Sequence, residues 1–214
     1  DDDCIVHKNT LEKLIEVDLE LNGNYGFLSS KVLWTDGNIC KMNVQRKTLT
    51  KNIKDFNIRL QEVCMASFVS LFIKYETVIE LGLPIKEFFL WTDDWEYTRR
   101  ISKKYKCYLV NNSIVTHKSK YNIGVSIDKD SSERLERYNY LYRNDVYLYK
   151  REGIKGWGYL IPRLMFHIYR ILKSNTKDNI ILLPNLVVNP LKEALYKFSS
   201  SIATSLLLGY LLLE

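Results

Sequence analysis

Three stretches of this chain carry residue types that could do chemistry together. The sequence opens Asp1-Asp2-Asp3 and runs directly into Cys4-Ile5-Val6; further on it reads Trp91-Thr92-Asp93-Asp94-Trp95-Glu96-Tyr97, and then Val115-Thr116-His117-Lys118. On an extended strand, adjacent side chains face opposite ways, so Asp1 and Asp3 would share a side while Asp2 faces away. Two carboxylates on one side of a strand end suit a hard divalent cation bound through oxygen. Such an ion clamps a diphosphate and stabilises charge on a leaving group. The plainer reading of the triplet is a solvated acidic end.

The second acidic motif has a structural and a chemical reading. Asp93 can cap a helix, and Glu96, three residues on, completes a capping-box-like pair. Asp94 would then be the first helical residue, where the helix dipole favours its ionised form. An ionised carboxylate at a cleft rim can take the proton of an attacking hydroxyl as general base. Trp91, Trp95 and Tyr97 fit either a ligand-stacking wall or the core, and Tyr97 reads as core. A single histidine at a strand end is commonly a hydrogen-bonded structural residue, yet imidazole also binds Mn²⁺-type ions. His117 is therefore a candidate third ligand. His7 and His167 lack acidic neighbours in the sequence and are set aside.

The elements that must position these residues follow from periodicity. Residues 9–19 read as a short helix capped by Asn9 or Thr10, with Leu11, Leu14, Ile15 and Leu19 recurring on one face. Asp36-Gly37 predicts a hairpin turn between 31–34 and 38–42. Residues 43–61 are polar, basic and weakly periodic, and read as a surface loop or insertion. The apolar run 65–73 predicts a buried strand. A helix over 74–81 should stop at Gly82, with Pro84 just beyond. Residues 94–104 predict a helix, and 107–110 and 114–117 two short strands separated by Asn111-Asn112-Ser113. Helix alternating with strand argues for an α/β layer. After about residue 125 the chain turns helical: 132–151 is tyrosine-rich, and 159–173 reads as a helix broken early by Pro162. In that helix Arg163, His167, Arg170 and Lys173 fall on one side. The apolar stretch 198–213 is shorter than the ~20 residues of a spanning helix and reads as a packing or interfacial helix.

Composition bounds the class. The 214 residues are 46% hydrophobic and 26% charged, with net charge +6, which is ordinary for a globular chain with a real core. Basic residues are spread among carboxylates and do not interleave with aromatics along one face, so a nucleic-acid partner is not expected. The four cysteines, Cys4, Cys40, Cys64 and Cys107, have no CxxC spacing. They read as reduced, mostly buried thiols of a cytoplasmic protein, without a zinc cluster or disulfide framework.

An ordered set of motifs resembles a known family. Asp1-Asp2-Asp3, Ala66-Ser67-Phe68-Val69-Ser70, Glu80-Leu81-Gly82-Leu83-Pro84, residues 88–97 and His117-Lys118 look like family 2 glycosyltransferases of the GT-A fold. Within that family they are most similar to the galactofuranosyltransferase and rhamnosyltransferase-like branch. The resemblance covers residues 1 to about 120 and extends loosely to Tyr142-Arg143-Asn144. It implies a partial GT-A (Rossmann-like) sheet, with residues 1–125 as the catalytic and acceptor-binding half and 126–214 as a helical extension. It implies that Asp1, Asp3 and His117 bind Mn²⁺ or Mg²⁺. It makes Asp94 the base of an inverting displacement, and puts Asp93 at the acceptor or donor sugar. Asp2, Ser67, Phe68, Trp91 and Trp95 would line the substrate cleft, with Ala66, Ser67 and Phe68 on its strand. The family also places a nucleotide-binding βαβ region before the triplet, so a longer enzyme is expected. Its partners would be a nucleotide-diphosphate sugar donor and a glycan or lipid-linked acceptor. Peripheral contact with the inner face of a membrane, through the basic and apolar C-terminal helices, and a homo-oligomer are both compatible with it. The alternative from another class is a non-catalytic transferase remnant that binds a partner through its tyrosine-rich helices.

Overall fold

A computed structural model describes residues 2–124, 127 and 132–173. Asp1 and the apolar stretch 198–213, for which expectations were stated above, lie outside them. The chain divides into two compact units. The first holds Asp1–Glu87 and Asp93–Val125, and the second holds Phe88–Thr92 with the chain from Ser126 onward.

The first unit is a mixed α/β layer. Its elements in order are β1 (Cys4–Val6), α1 (Thr10–Glu20), β2 (Phe27–Trp34), β3 (Leu60–Glu62), β4 (Leu71–Ile73), α2 (Tyr75–Leu81), α3 (Asp93–Ser102) and β5 (Tyr108–His117). The sheet order is β1-β5-β2-β4, with β3 also paired to β5. Strands β2 and β5 run parallel, while β1, β3 and β4 pair antiparallel. Because a parallel pair is covered on both faces, β2 is buried almost continuously from Phe27. Phe27 and Leu109 point into one core, with Ile53, Val63, Ala66, Tyr97 and Ile101. Their neighbours Leu28 and Val110 point into the other, with Leu14, Val17 and Tyr25. Helix α1 thus covers one face, and α3 with the 43–65 segment covers the other. Gly26 lets α3 approach the sheet, because a Cβ there would stand 2.4 Å from Ile101 Cγ2.

Several expectations hold and others need correction. Helix α1 and the stop of α2 at Gly82 (φ +75°) lie where the caps predict. The two short strands around Asn111 are instead one strand, β5, which absorbs the polar residues at a register shift opposite Ser30 and Lys31. Residues 65–73 are not one strand: Met65 makes an isolated bridge to Arg46, Ser67 is extended, Phe68–Ser70 make a 3₁₀ turn, and Leu71–Ile73 form the strand β4. The turn at Asp36-Gly37 forms, but its return arm is a single bridge, Leu33 to Ile39, before a 3₁₀ turn at Lys41–Asn43. The 43–61 segment is mostly exposed, as a surface loop should be, but Asn43, Gln45, Arg46 and Ile53 are buried and anchor it. The buried Glu96 carboxylate receives two hydrogen bonds from Arg100, at 3.2 and 3.1 Å.

The second unit contains α4 (Tyr138–Lys150) and α5 (Gly153–Lys173). Pro162 lies inside α5 without ending it. Burial of Leu160, Leu164, His167 and Ile171, spaced four, three and four apart, outweighs the lost backbone bond. The basic residues of α5 are not one solvated side. His167 Nδ1 lies 2.9 Å from the Tyr142 hydroxyl, and Arg163 Nε donates to Asp145 Oδ2 at 3.0 Å. Among the described residues, no helix is long and apolar enough to cross a membrane.

The Phe88–Thr92 segment of this unit is strained. Phe89, Trp91 and Thr92 have φ of +55°, +60° and +63°, a region that costs non-glycine residues about 1–3 kcal/mol each. Buried Asn144 holds it, with Nδ2 within 3.0, 3.2 and 2.8 Å of the carbonyl oxygens of Phe88, Leu90 and Trp91. Thr92 Oγ1 donates to Asp145 Oδ1 at 2.9 Å. Replacing Asn144 by Ala leaves these acceptors without their donor and should cost about 1–3 kcal/mol, read as a lowered urea midpoint of the intact chain. An unchanged midpoint would mean that the segment is held by something else.

Candidate functional site

The site is assembled by the pairing of β1 with the end of β5. Cys4 lies opposite His117, Ile5 opposite Thr116 and Val6 opposite Val115. Residues directly opposite on an antiparallel pair project to the same face, so Cys4 and His117 share one. The Lys118 amide donates to the Asp3 carbonyl at 2.8 Å, which holds Asp3 beside the histidine. His117 Nε2 lies 3.1 Å from Asp3 Oδ2, and Cys4 Sγ lies 3.7 Å from Asp3 Oδ1. The ligand atoms of Asp3, Cys4 and His117 are all within 4.8 Å of one another. Burial and the Asp3 charge push the Cys4 thiol above its usual range.

The other ring nitrogen of His117 is fixed from inside the fold. Nδ1 lies 2.7 Å from Asn43 Oδ1, which also accepts from Cys40 Sγ at 3.0 Å, while Asn43 Nδ2 donates to Ser67 Oγ at 3.0 Å. A carbonyl oxygen only accepts, so in this contact the ring proton sits on Nδ1, and Nε2 is directed at Asp3. That is the arrangement by which an outer hydrogen bond orients a metal-binding imidazole.

The same network reaches the helix that carries Asp94. Next to Ser67, the Ala66 amide donates to Thr98 Oγ1 at 3.2 Å, and Thr98 Oγ1 lies 2.6 Å from the Asp94 carbonyl one turn earlier. Asp94 Oδ1 accepts from the Trp95 amide at 2.7 Å. Burial, aided by the charge of adjacent Asp93, pushes the Asp94 carboxyl up to about 7; the Trp95 amide and Arg46 oppose the rise. Arg46 stacks its guanidinium 3.6 Å over the Trp95 ring.

Of the residues singled out in the sequence, Asp3 and His117 are in direct contact. Ser67, Trp95, Asp93 and Asp94 belong to the same unit, with Ser67 bonded to Asn43 and Asp94 reached through its backbone carbonyl only. Asp1 lies outside the described residues. The strand premise for the triplet fails: Asp2 and Asp3 form a turn, β1 starts at Cys4, and Asp2 is exposed. Trp91 belongs to the second unit, where its ring meets Tyr138 edge-on at 5.0 Å. One face of Trp95 is covered by Arg46. Phe68 stands on a 3₁₀ turn with its ring edge-on to buried Tyr97 at 6.1 Å. His7, set aside, bonds Thr116 Oγ1 at 2.8 Å. Sequence reasoning missed Asn43, Cys40 and Arg46, which lie in or next to a stretch read as loop. Their short-range signal is weak, since only long-range packing gives them partners. No family model and no curated protein sequence matches this chain.

Asp94 makes stability depend on pH with a definite sign. Its proton leaves near 3.8 in the free residue and near 7 in the folded chain, so the folded state holds a proton that the unfolded state releases. Stability is greatest below the lower value and falls as pH rises toward 7. The Asp94→Asn variant should match the native chain at about pH 4. At about pH 9 it should exceed it by on the order of 1–3 kcal/mol, measured by urea unfolding at the two values. Equal stability at both would show that the carboxyl is not held neutral by its surroundings.

Proposed function

We propose that this chain is the catalytic part of a metal-dependent inverting glycosyltransferase of the GT-A type. In this reading it moves a sugar such as galactofuranose or rhamnose from a nucleotide diphosphate to a hydroxyl of a glycan or lipid-linked acceptor. The observation that carries the reading is the connected network from Asp3 through His117, Asn43 and Ser67, and from Ala66 through Thr98 to Asp94. It runs from a carboxylate–imidazole pair to the backbone of the helix whose first turn carries Asp94, a carboxyl poised to exchange a proton near neutrality.

The pair fits a divalent ion. Two ligands at right angles on an octahedral ion, each about 2.1 Å away, stand about 3.0 Å apart, against 3.1 Å between His117 Nε2 and Asp3 Oδ2. Bound Mn²⁺ or Mg²⁺ would neutralise the diphosphate as it departs. Asp3 and His117 would hold it, and Asn43, bonded to the other ring nitrogen, would orient the imidazole toward it. Asp94 has Oδ1 occupied by the Trp95 amide, which leaves Oδ2 to take the acceptor proton. The acceptor oxygen then attacks the anomeric carbon as the bond to the diphosphate breaks, and the configuration inverts. Asp93 borders the same helix end and contacts a sugar hydroxyl.

The test uses the polypeptide that carries the donor-binding segment the family places before Asp1, assayed against a panel of nucleotide sugars. Asp94→Asn should lower turnover by at least about 100-fold and leave metal-dependent nucleotide binding nearly intact. In the native enzyme, turnover should rise with pH and level off above about 7, as the base loses its proton. Undiminished turnover in the variant removes Asp94 from the role. Absence of transfer with every donor, in a chain that still binds metal, favours a non-catalytic module.

A further inference from the structure

Asp3 and His117 are not alone at the sheet edge, and their neighbour changes the metal chemistry. Cys4 faces His117 across the β1–β5 pairing, and its sulfur lies 3.7 Å from Asp3 Oδ1. Hard ions such as Mg²⁺ take oxygen ligands and gain nothing from a thiolate; zinc takes sulfur, imidazole nitrogen and carboxylate oxygen readily. We propose that Asp3, Cys4 and His117 form a three-ligand binding site for Zn²⁺ and similar borderline-soft divalent ions.

The geometry fits without rearranging the backbone. Around a tetrahedral zinc, with sulfur at about 2.3 Å and nitrogen or oxygen at about 2.1 Å, ligand atoms stand about 3.4–3.6 Å apart. The observed separations are 3.1 Å for nitrogen to oxygen and 3.7 Å for sulfur to oxygen, and all three atoms lie within 4.8 Å of one another. The register of two hydrogen-bonded strands sets them; no chance meeting of surface chains is needed. His117 is preset for ligation, because Asn43 Oδ1 takes the Nδ1 proton and Asn43 is itself anchored by Ser67. Asp3, in the turn before β1, and Cys4, on that edge strand, are half-exposed, so an ion can enter from solvent. With three protein ligands the fourth position is left to water or substrate, as in open zinc sites. On binding, the thiol proton leaves to solvent and the sulfur lone pair forms the bond.

This site stands on three side chains and holds whether or not the chain is a transferase. If it is one, zinc competes with the hard ion for Asp3 and His117 and inhibits.

Cobalt(II) is the probe, titrated into the tag-free 214-residue chain. The expected result is a near-ultraviolet thiolate-to-cobalt charge-transfer band with the intense visible bands of a tetrahedral ion, both abolished by stoichiometric Zn²⁺. In Cys4→Ser the charge-transfer band should vanish and zinc affinity fall by at least about 10-fold, while Cys40→Ser, Cys64→Ser and Cys107→Ser keep the band. Asn43→Ala should weaken zinc by about 10–100-fold through the misdirected imidazole. Cobalt that binds without a thiolate band, a band that survives Cys4→Ser, or no cobalt binding would each overturn the proposal. Mn²⁺ binding followed by electron paramagnetic resonance separates the two readings. Cys4→Ser should leave it unchanged, so a failed thiolate site does not by itself remove the transferase reading.

Discussion

The candidate site depends on one pairing: three residues of β1 laid antiparallel against the last three of β5. Asp3 and His117 are 114 positions apart in the chain, so closing that loop carries a large entropic cost before any contact rewards it. A three-residue edge strand cannot offset this alone. The return comes from helix α1, which begins three residues after β1 ends. Ser113 Oγ donates to the Thr10 carbonyl at 2.9 Å, and Thr10 Oγ1 donates to the Ile114 carbonyl. The start of α1 is thus pinned to β5 just before the segment that β1 covers. With Leu14 and Val17 buried against the same sheet, the short strand is anchored from its C-terminal side and its register is set.

Buried polar groups, more than apolar ones, organise the middle of that sheet. Where β5 slips register against β2, Ser30 and Ser113 share a hydroxyl contact at 2.7 Å, and Ser70 donates to Ser30 Oγ at 2.7 Å. Gln45 Nε2 donates to Ser29 Oγ and to the Ser30 carbonyl, at 2.9 and 2.8 Å. Each of these groups would be costly to bury without a partner. Together they explain why a segment without hydrophobic periodicity, residues 43–65, is nevertheless anchored to the sheet at Gln45. The same segment delivers Asn43 to His117, so the polar seam and the imidazole support are two parts of one packing solution.

This also decides what was legible beforehand. Helix α1, the stop of α2 at Gly82 and the helix that starts at the second acidic motif rest on local caps and periodicity, and the sequence displays them. The mixed α/β layer follows from their alternation. The pairing partners do not, because strands of three residues carry too little pattern to name a neighbour. Asn43 and Arg46 sit among lysines and asparagines with nothing local to mark them as buried. Trp91, whose aromatic context fits a ligand wall or the core, meets Tyr138 edge-on, a neighbour that local sequence does not name. Glu96 has capping-box spacing, and Arg100, one turn along the same helix, gives its carboxylate a charged partner.

Local rules are broken most densely between residues 88 and 98, and the breaks have a direction. Three non-glycine residues in succession or near it take positive φ, one of them β-branched Thr92, where the left-handed region is most costly. Immediately afterwards come two adjacent carboxyls, one with its proton held to about 7 by burial beside its like-charged neighbour. Neither feature stabilises the fold. Asn144 and Asp145 supply compensating hydrogen bonds to the first, and Arg46 with the Trp95 amide partly offsets the second. A chain under pressure for stability alone would place glycine at 91 or 92 and an amide at 94. A carboxyl whose proton is exchangeable near neutrality is the one property that burial beside Asp93 confers. That is what sets Asp94 apart from a helix-capping aspartate, whose bonded carboxylate would be driven the other way, toward permanent ionisation.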